Sequence, residues 1–215
     1  KIDCIKTFRQ CNLPYGLIYI LEDPILLNKI ANGGQDDILT NELKWLLEFP
    51  IVIRTDCISK DKDPGFLLPR TESVFSAIEA YDFIQKTTNS FIIQGLKSSD
   101  FCFLIHRFII SKSCALAFSK PSISKARIDS TWGIVDGLHY HPHDSFEYNS
   151  TNSDIKKRIR CKTEYLDVDE KGSWFSKKSG FGWDWAESLT SSQIKNISKF
   201  TTTIADHLDK PVTVM

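Results

Sequence analysis

Three histidines alternate at His139, His141 and His143. On a strand that spacing would turn all three imidazoles to one face and could hold zinc or iron; the competing reading is a surface stretch beside Pro142. Arg54 follows the apolar run Ile51, Val52, Ile53, where a guanidinium delivered at a strand end is rigidly placed and can grip phosphate through two parallel hydrogen bonds. His106 interrupts the apolar stretch Phe101 to Ile110, as a satisfied core histidine or a ligand contact. Trp174, Phe175, Phe181, Trp183 and Trp185 form an aromatic group with Gly180 and Gly182, suited either to stacking on bases or sugars or to packing. Lys177 and Lys178 within it, and the run Lys156, Lys157, Arg158, read as solvated faces rather than phosphate sites.

Positioning these groups requires a mixture of strands and helices. Leu17 to Leu21 is a short apolar run between Gly16 and Asp23-Pro24 and predicts a strand. Leu39 to Phe49 has helical spacing, ended by Pro50, and Ile51 to Ile53 predicts a strand. Residues 59–70 predict an exposed loop, Ser73 to Lys86 a helix, and Phe91 to Ile93 a strand edge. Phe101 to Ile110 is the strongest strand, with Leu116 to Phe118 expected to pair beside it. Ser191 to Leu208 is an amphipathic helix that Thr190 or Ser191 can cap, and Val212 to Met215 begins a last strand. Without strict strand–helix alternation, the fold class is α+β.

The 215 residues are 41% hydrophobic and carry 27 basic and 27 acidic side chains. That balance gives no electrostatic reason to expect nucleic acid or an anionic membrane as partner. Six cysteines are scattered without a close pair, which argues against zinc and against a secreted disulfide framework and points to a reducing cytoplasm. No run reaches the ~20 apolar residues of a spanning helix. Because the chain opens on Lys1 and its one methionine is Met215, it is expected to be part of a longer protein.

From Ile128 the chain reads Ile-Asp-Ser-Thr-Trp-Gly-Ile-Val-Asp-Gly-Leu, then His-Tyr-His-Pro-His-Asp-Ser-Phe-Glu to Glu147. This resembles a segment of the phosphoenolpyruvate synthase and pyruvate phosphate dikinase family, in which an acidic residue, a Trp-Gly-Leu-Gly-Glu turn and a Pro-Asp-x-Tyr strand entry follow one another. Asp129 and Asp136 fall on the two glutamates, Trp132-Gly133 on the Trp-Gly, and Pro142 and Phe146 on the closing proline and aromatic. Pro50 to Asp56 resembles the family's Pro-Val-Ala-Val-Arg-Ser-Ser strand, Ile105 to Ile109 its Val-Gln-x-Met-Val hinge, and Ala117 to Pro121 its Phe-Thr-x-x-Pro. His207 to Pro211 resembles its His-Phe-Gly-Lys-Pro, and Thr71 falls on a threonine that follows a flexible loop.

The resemblance implies an ATP-grasp-like fold, two lobes with mixed or antiparallel sheets closing on a nucleotide cleft. The lobes would span residues 1–100 and 101–215, the second carrying the adenine hinge. It implies an ATP-binding domain of an ATP-dependent phosphotransferase, with a phosphate-accepting histidine domain elsewhere in the full chain. Arg54 would hold phosphate with Thr71 in support; His106, Phe108 and Ile109 would line the adenine side; Asp129 and Asp136 would face the ribose or a magnesium ion. Phosphoryl transfer suits such parts, since it relies on positioning and charge neutralisation.

Three departures from the pattern favour an alternative, a degenerate and non-catalytic regulatory or protein-binding relative. The glycine-rich loop and its lysine have no counterpart before residue 50, where Lys6 reads as a surface residue. The Trp-Gly turn lacks its second glycine and shortens glutamate to aspartate. Thr213 and Met215 stand where two acidic metal ligands are expected, and a thioether is a poor ligand for magnesium.

Overall fold

The computed structural model describes residues 1–58, 68–71, 73–169 and 173–215. Contacts divide the chain into two units, Lys1–Lys6 with Pro14–Ile109, and Thr7–Leu13 with Ile110–Met215. The division falls after Ile109 rather than after residue 100, so the strand that begins at Phe101 belongs to the first unit.

In the first unit three strands, β1 (Ile18–Leu21), β2 (Ile51–Cys57) and β3 (Phe101–Arg107), pair antiparallel with β3 in the centre. Alternation along β3 sends Phe101, Phe103 and Ile105 into the main core and Cys102 and Leu104 to the opposite face, against Ile2 and Ile5. Both faces are covered, which is why β3 reads as a continuous apolar run. Ile2 and Ile5 belong to α1 (Ile2–Gln10).

The main core is closed by α2 (Pro24–Ala31), α3 (Asp37–Leu46) and α4 (Ala77–Ile93). Asp23 caps α2 by accepting from the Ile25 N–H at 2.9 Å, and Pro24 occupies the first turn, where its missing N–H goes unnoticed. From the sequence alone Asp23-Pro24 reads only as the end of a strand. Asp36 caps α3 in the same way, through the Leu39 N–H at 3.0 Å, so that helix starts before Leu39 and stops at Leu46.

Several expectations change here. Phe91 to Ile93 is the last turn of α4 and not a strand edge; Ser76 caps the helix, and Ala80, Ile84 and Phe91 keep a helical stripe in the core. Arg54 lies mid-strand rather than at a strand end, because β2 continues to Cys57 in register with Phe101. The expected loop over 59–70 lies mostly outside the described residues.

The second unit is an antiparallel sheet in the order β10 (Val212–Val214), β4 (Ser113–Ser119), β5 (Lys125–Trp132), β6 (Asp144–Asn149), β7 (Asp154–Arg158). Leu116 to Phe118 therefore pairs with β5 and β10, not with β3. Helix α5 (Ser191–Leu208) starts on a reciprocal cap between Thr190 and Gln193 and lays Ile194 and Ile197 against Ala117, Ile128 and Phe146 on one sheet face. Asp209 ends it in the left-handed conformation, at φ 47°. The other face is mostly polar and open: Phe118, Arg127, Glu147 and Lys156 form one cross-strand row, and Leu116, Asp129, Ser145 and Arg158 the next. Residues 171–185, unassigned from sequence, contribute β9 (Trp174–Lys178), which pairs with β8 (Glu164–Val168). Thus the fold is α+β with antiparallel sheets, as expected. No helix among the described residues is long and apolar enough to cross a membrane.

Candidate functional site

In the first unit the structure brings Arg54 and Thr71 together. The Thr71 N–H donates to the Ile53 carbonyl at 2.9 Å, and the Thr71 hydroxyl oxygen accepts from the Ile53 N–H at 2.9 Å. Thr71 is thus clamped on the free side of β2 immediately beside Arg54, which itself bridges to Arg70. Thr55 secures the same segment by donating from its hydroxyl to the Pro69 carbonyl at 2.8 Å.

His106 shares a sheet face with Val52 and Ile18, its cross-strand neighbours. Its Nδ1 lies 2.9 Å from the Arg107 carbonyl. Since a carbonyl only accepts, Nδ1 carries the hydrogen, and Nε2 of the neutral ring is an acceptor. Burial pushes the imidazole pKa below its usual value and the Arg54 charge adds to that, while the bond to the Arg107 carbonyl opposes it. Phe108 donates its N–H to the Pro50 carbonyl at 2.7 Å, so that hinge donor is already used. The Ile109 side chain beyond it is 67% exposed. Lys6 is exposed on α1.

In the second unit Asp129 stands on the open sheet face. It accepts from the Ser145 hydroxyl at 2.6 Å and pairs with Arg127 at 3.2 Å. Asp136 lies in the 3-10 turn Val135–His139 that follows β5. Its charge acts on Cys114, whose thiol is raised to about 11, chiefly by burial. Burial likewise raises the Cys102 thiol to about 12, so both behave as small apolar groups rather than nucleophiles.

His139, His141 and His143 do not alternate on a strand. His139 closes the 3-10 turn, the His141 N–H donates to the Gly137 carbonyl at 2.9 Å, and β6 begins only at Asp144. Among the described residues no three His, Cys, Asp or Glu side chains are placed to share a metal ion. Thr213 sits on β10 opposite Phe118, on the open face, and Met215 is exposed.

The Trp-Gly pair has a packing reason. Trp132 is buried, donates its indole N–H to the Trp183 carbonyl at 3.1 Å and stacks at a tilt on the Trp183 ring, 4.9 Å between centroids. The Lys112 ammonium lies 5.1 Å from the centre of that ring. Gly133 has φ +74°, and a Cβ there would come within 2.0 Å of the Leu166 carbonyl oxygen. Glycine at 133 lets β8 approach closely enough for the Ile134 N–H to reach that oxygen at 2.9 Å. Of the aromatic group, Trp183 packs in this way, whereas Phe181 is fully exposed.

Sequence reasoning missed a buried polar network under the start of α5. Asp144 and Lys162 are both 0% exposed and pair at 2.6 Å. Asp144 also accepts from the Arg160 N–H at 3.0 Å and from the Ser188 N–H and hydroxyl at 2.9 and 2.8 Å. The Lys162 ammonium donates as well to the Arg160 carbonyl at 2.9 Å. Nothing in the local pattern of either residue signals this, because the partners come from three separate segments.

No protein-family model matches the chain. No curated protein matches it either. Among solved structures it is similar to a crystal structure described as the ADP complex of PurK, N5-carboxyaminoimidazole ribonucleotide synthetase, at 10% identity and a TM-score of 0.35. That likeness covers 97% of this chain and 50% of the other, so the chain spans half the length of that protein.

Proposed function

We propose that this chain is an ATP-binding, ATP-grasp-like domain of an ATP-dependent phosphotransferase of the phosphoenolpyruvate synthase type. The observation that carries the reading is the adjacency of Arg54 and Thr71. Resemblance alone assigned both to the phosphates, they are remote in sequence, and two hydrogen bonds fix Thr71 on Ile53, next to Arg54. Further support comes from where the resembling segments fall: Pro50 to Asp56 on β2, Ile105 to Ile109 at the end of β3, and His207 to Pro211 on the turn from α5 into β10.

In this reading Arg54 grips phosphate oxygens through its planar fork, and Thr71 supports them. Phe108 and Ile109 supply the apolar side of the adenine slot, and the neutral His106 offers Nε2 as an acceptor to the adenine amino group. Magnesium would neutralise phosphate charge, with Asp129 and Asp136 as its carboxylates. Asp129 fits that role poorly, since Arg127 and Ser145 already engage it.

This last point, with Thr213 and Met215, favours a second reading in which the domain binds nucleotide, or a protein partner, without turnover. Calorimetry with ATP and magnesium tests the first claim. Binding to the wild type that weakens at least about tenfold in Arg54→Ala is expected, from the loss of charge-assisted hydrogen bonds. An unbound wild type would eliminate it. Binding without phosphoryl transfer by the full-length protein would select the second reading.

A further inference from the structure

Strand β1 is an edge of its three-stranded sheet: it pairs with β3 on one side, and among the described residues no strand lies on the other. Alternate residues of an antiparallel strand turn their N–H and C=O groups away from the partner. Among the described residues no other backbone group meets those of Ile18–Leu21. This edge runs along a groove of about 470 Å³, lined by residues 19–23, by Ile25, Leu26 and Lys29 of α2, and by Asp36 and Ile38 at the start of α3. On its walls Ile25 and Ile38 are 81% and 70% exposed. The charges are unequal. Among the described residues that line the groove, Glu22, Asp23 and Asp36 outnumber one ammonium, Lys29, which lies 3.8 Å from Asp36. Asp23 and Asp36 each give one oxygen to a helix cap, whereas Glu22 has no hydrogen-bond or ion-pair partner among the described residues. Tyr19 registers the excess of negative charge: burial first raises its phenol pKa, and the charges of Glu42 and Asp36 raise it further.

We infer that the free edge of β1 docks an extended segment of a partner protein in which lysine or arginine alternates with apolar residues. Backbone hydrogen bonds to an open sheet edge supply affinity, and contacts from alternate side chains supply selectivity. The apolar side chains of the added strand would cover Ile25 and Ile38, and its basic ones would meet Glu22 and the neighbouring carboxylates. A second copy of this chain suits the groove less well, because it would bring further carboxylates to an acidic surface instead of cations. The inference does not depend on nucleotide binding.

Fluorescence anisotropy at low salt, where screening is weak, would follow a labelled peptide of alternating lysine and valine on the whole chain. One control peptide has glutamate in place of lysine. Another carries N-methyl groups on successive central amides, which keeps every charge but removes an N–H facing β1 in either alignment. The lysine–valine peptide is expected to bind, the glutamate peptide not to bind, and the methylated peptide to bind about fivefold or more weakly. Glu22→Lys should weaken binding about fivefold, since an attraction is replaced by a repulsion at an exposed site. Amide exchange along Ile18–Leu21 should slow when the peptide binds, which attraction between charges alone would not cause. A lysine–valine peptide that does not bind, equal binding of the methylated peptide, or unchanged exchange along β1 would overturn the inference. These wild-type comparisons hold even if Glu22→Lys fails to fold. Exchange along β1 that slows on raising the protein concentration alone would assign the edge to a second copy and also overturn it. Whether ATP binds bears only on the nucleotide reading.

Discussion

Replacing Lys162 by methionine removes the ammonium that faces Asp144 while keeping most of the side-chain volume. Both partners are fully buried, so the carboxylate left behind has no water to turn to. It would retain the Arg160 N–H and both donors of Ser188, but no opposite charge. Breaking a buried pair by deleting one member costs about 3–5 kcal/mol. The three remaining donors place the expected loss near the lower end, about 3 kcal/mol. At about 2–4 °C per kcal/mol for a chain of this size, that is a fall in Tm of roughly 6–12 °C. Urea denaturation followed by tryptophan fluorescence would read it, since Trp132 and Trp183 lie in the same unit as the pair. The midpoint should fall with the slope unchanged. The double variant Asp144→Asn with Lys162→Met removes both charges and should lose less than the two single losses added together. A Lys162→Met variant within about 1 kcal/mol of the wild type would refute the reasoning, because a loss that small is within reach of a surface pair.

Gly133→Ala should be more damaging than an ordinary loop change, since its Cβ would meet the Leu166 carbonyl oxygen at 2.0 Å and the backbone is at φ +74°. We expect at least about 2 kcal/mol by thermal melting, above the 1–3 kcal/mol range's lower end for such strain, and a wild-type Tm would contradict the close approach of β8. His106 binds its proton less readily in the folded state than in the unfolded state, because of burial first and Arg54 second. The unfolded chain therefore takes up more protons on acidification, so the stability His106 contributes is present above about pH 6.5 and is lost as pH falls below it. Denaturation midpoints at pH 7.5 and 5.5 should differ less in His106→Gln than in the wild type; an equal difference would show that His106 is not a source of the pH dependence.

Local signals carried a good part of the fold. The α5 stripe and its Thr190 cap, the turn at Asp209 to Pro211, and the apolar runs of β1 and β3 are readable because caps and periodicity act over a few residues. The Asp23-Pro24 cap was equally local and was there to be read. By contrast Phe91 to Ile93 looks like a strand in isolation, since its β-branched and aromatic residues suit either state; only the core stripe continued from Ile84 makes it helix.

Of the candidate site, the residue types at Arg54, Thr71 and Asp129 came from sequence, and their arrangement did not. Composition and spacing pointed to an α+β chain with an arginine on a strand, and the family resemblance implied the Trp-Gly turn. Tertiary structure decided that β3 pairs with β1 and β2 while β4 joins a second sheet, and that Arg54 sits mid-strand opposite Arg70. It decided too that Asp129 is engaged by Arg127 and Ser145, and that Asp144 and Lys162 meet in the interior. The reason is common to all of these. Caps and periodicity are set by bonds within a few residues, whereas strand partners and buried ion pairs are chosen by surfaces that meet only after the chain has folded.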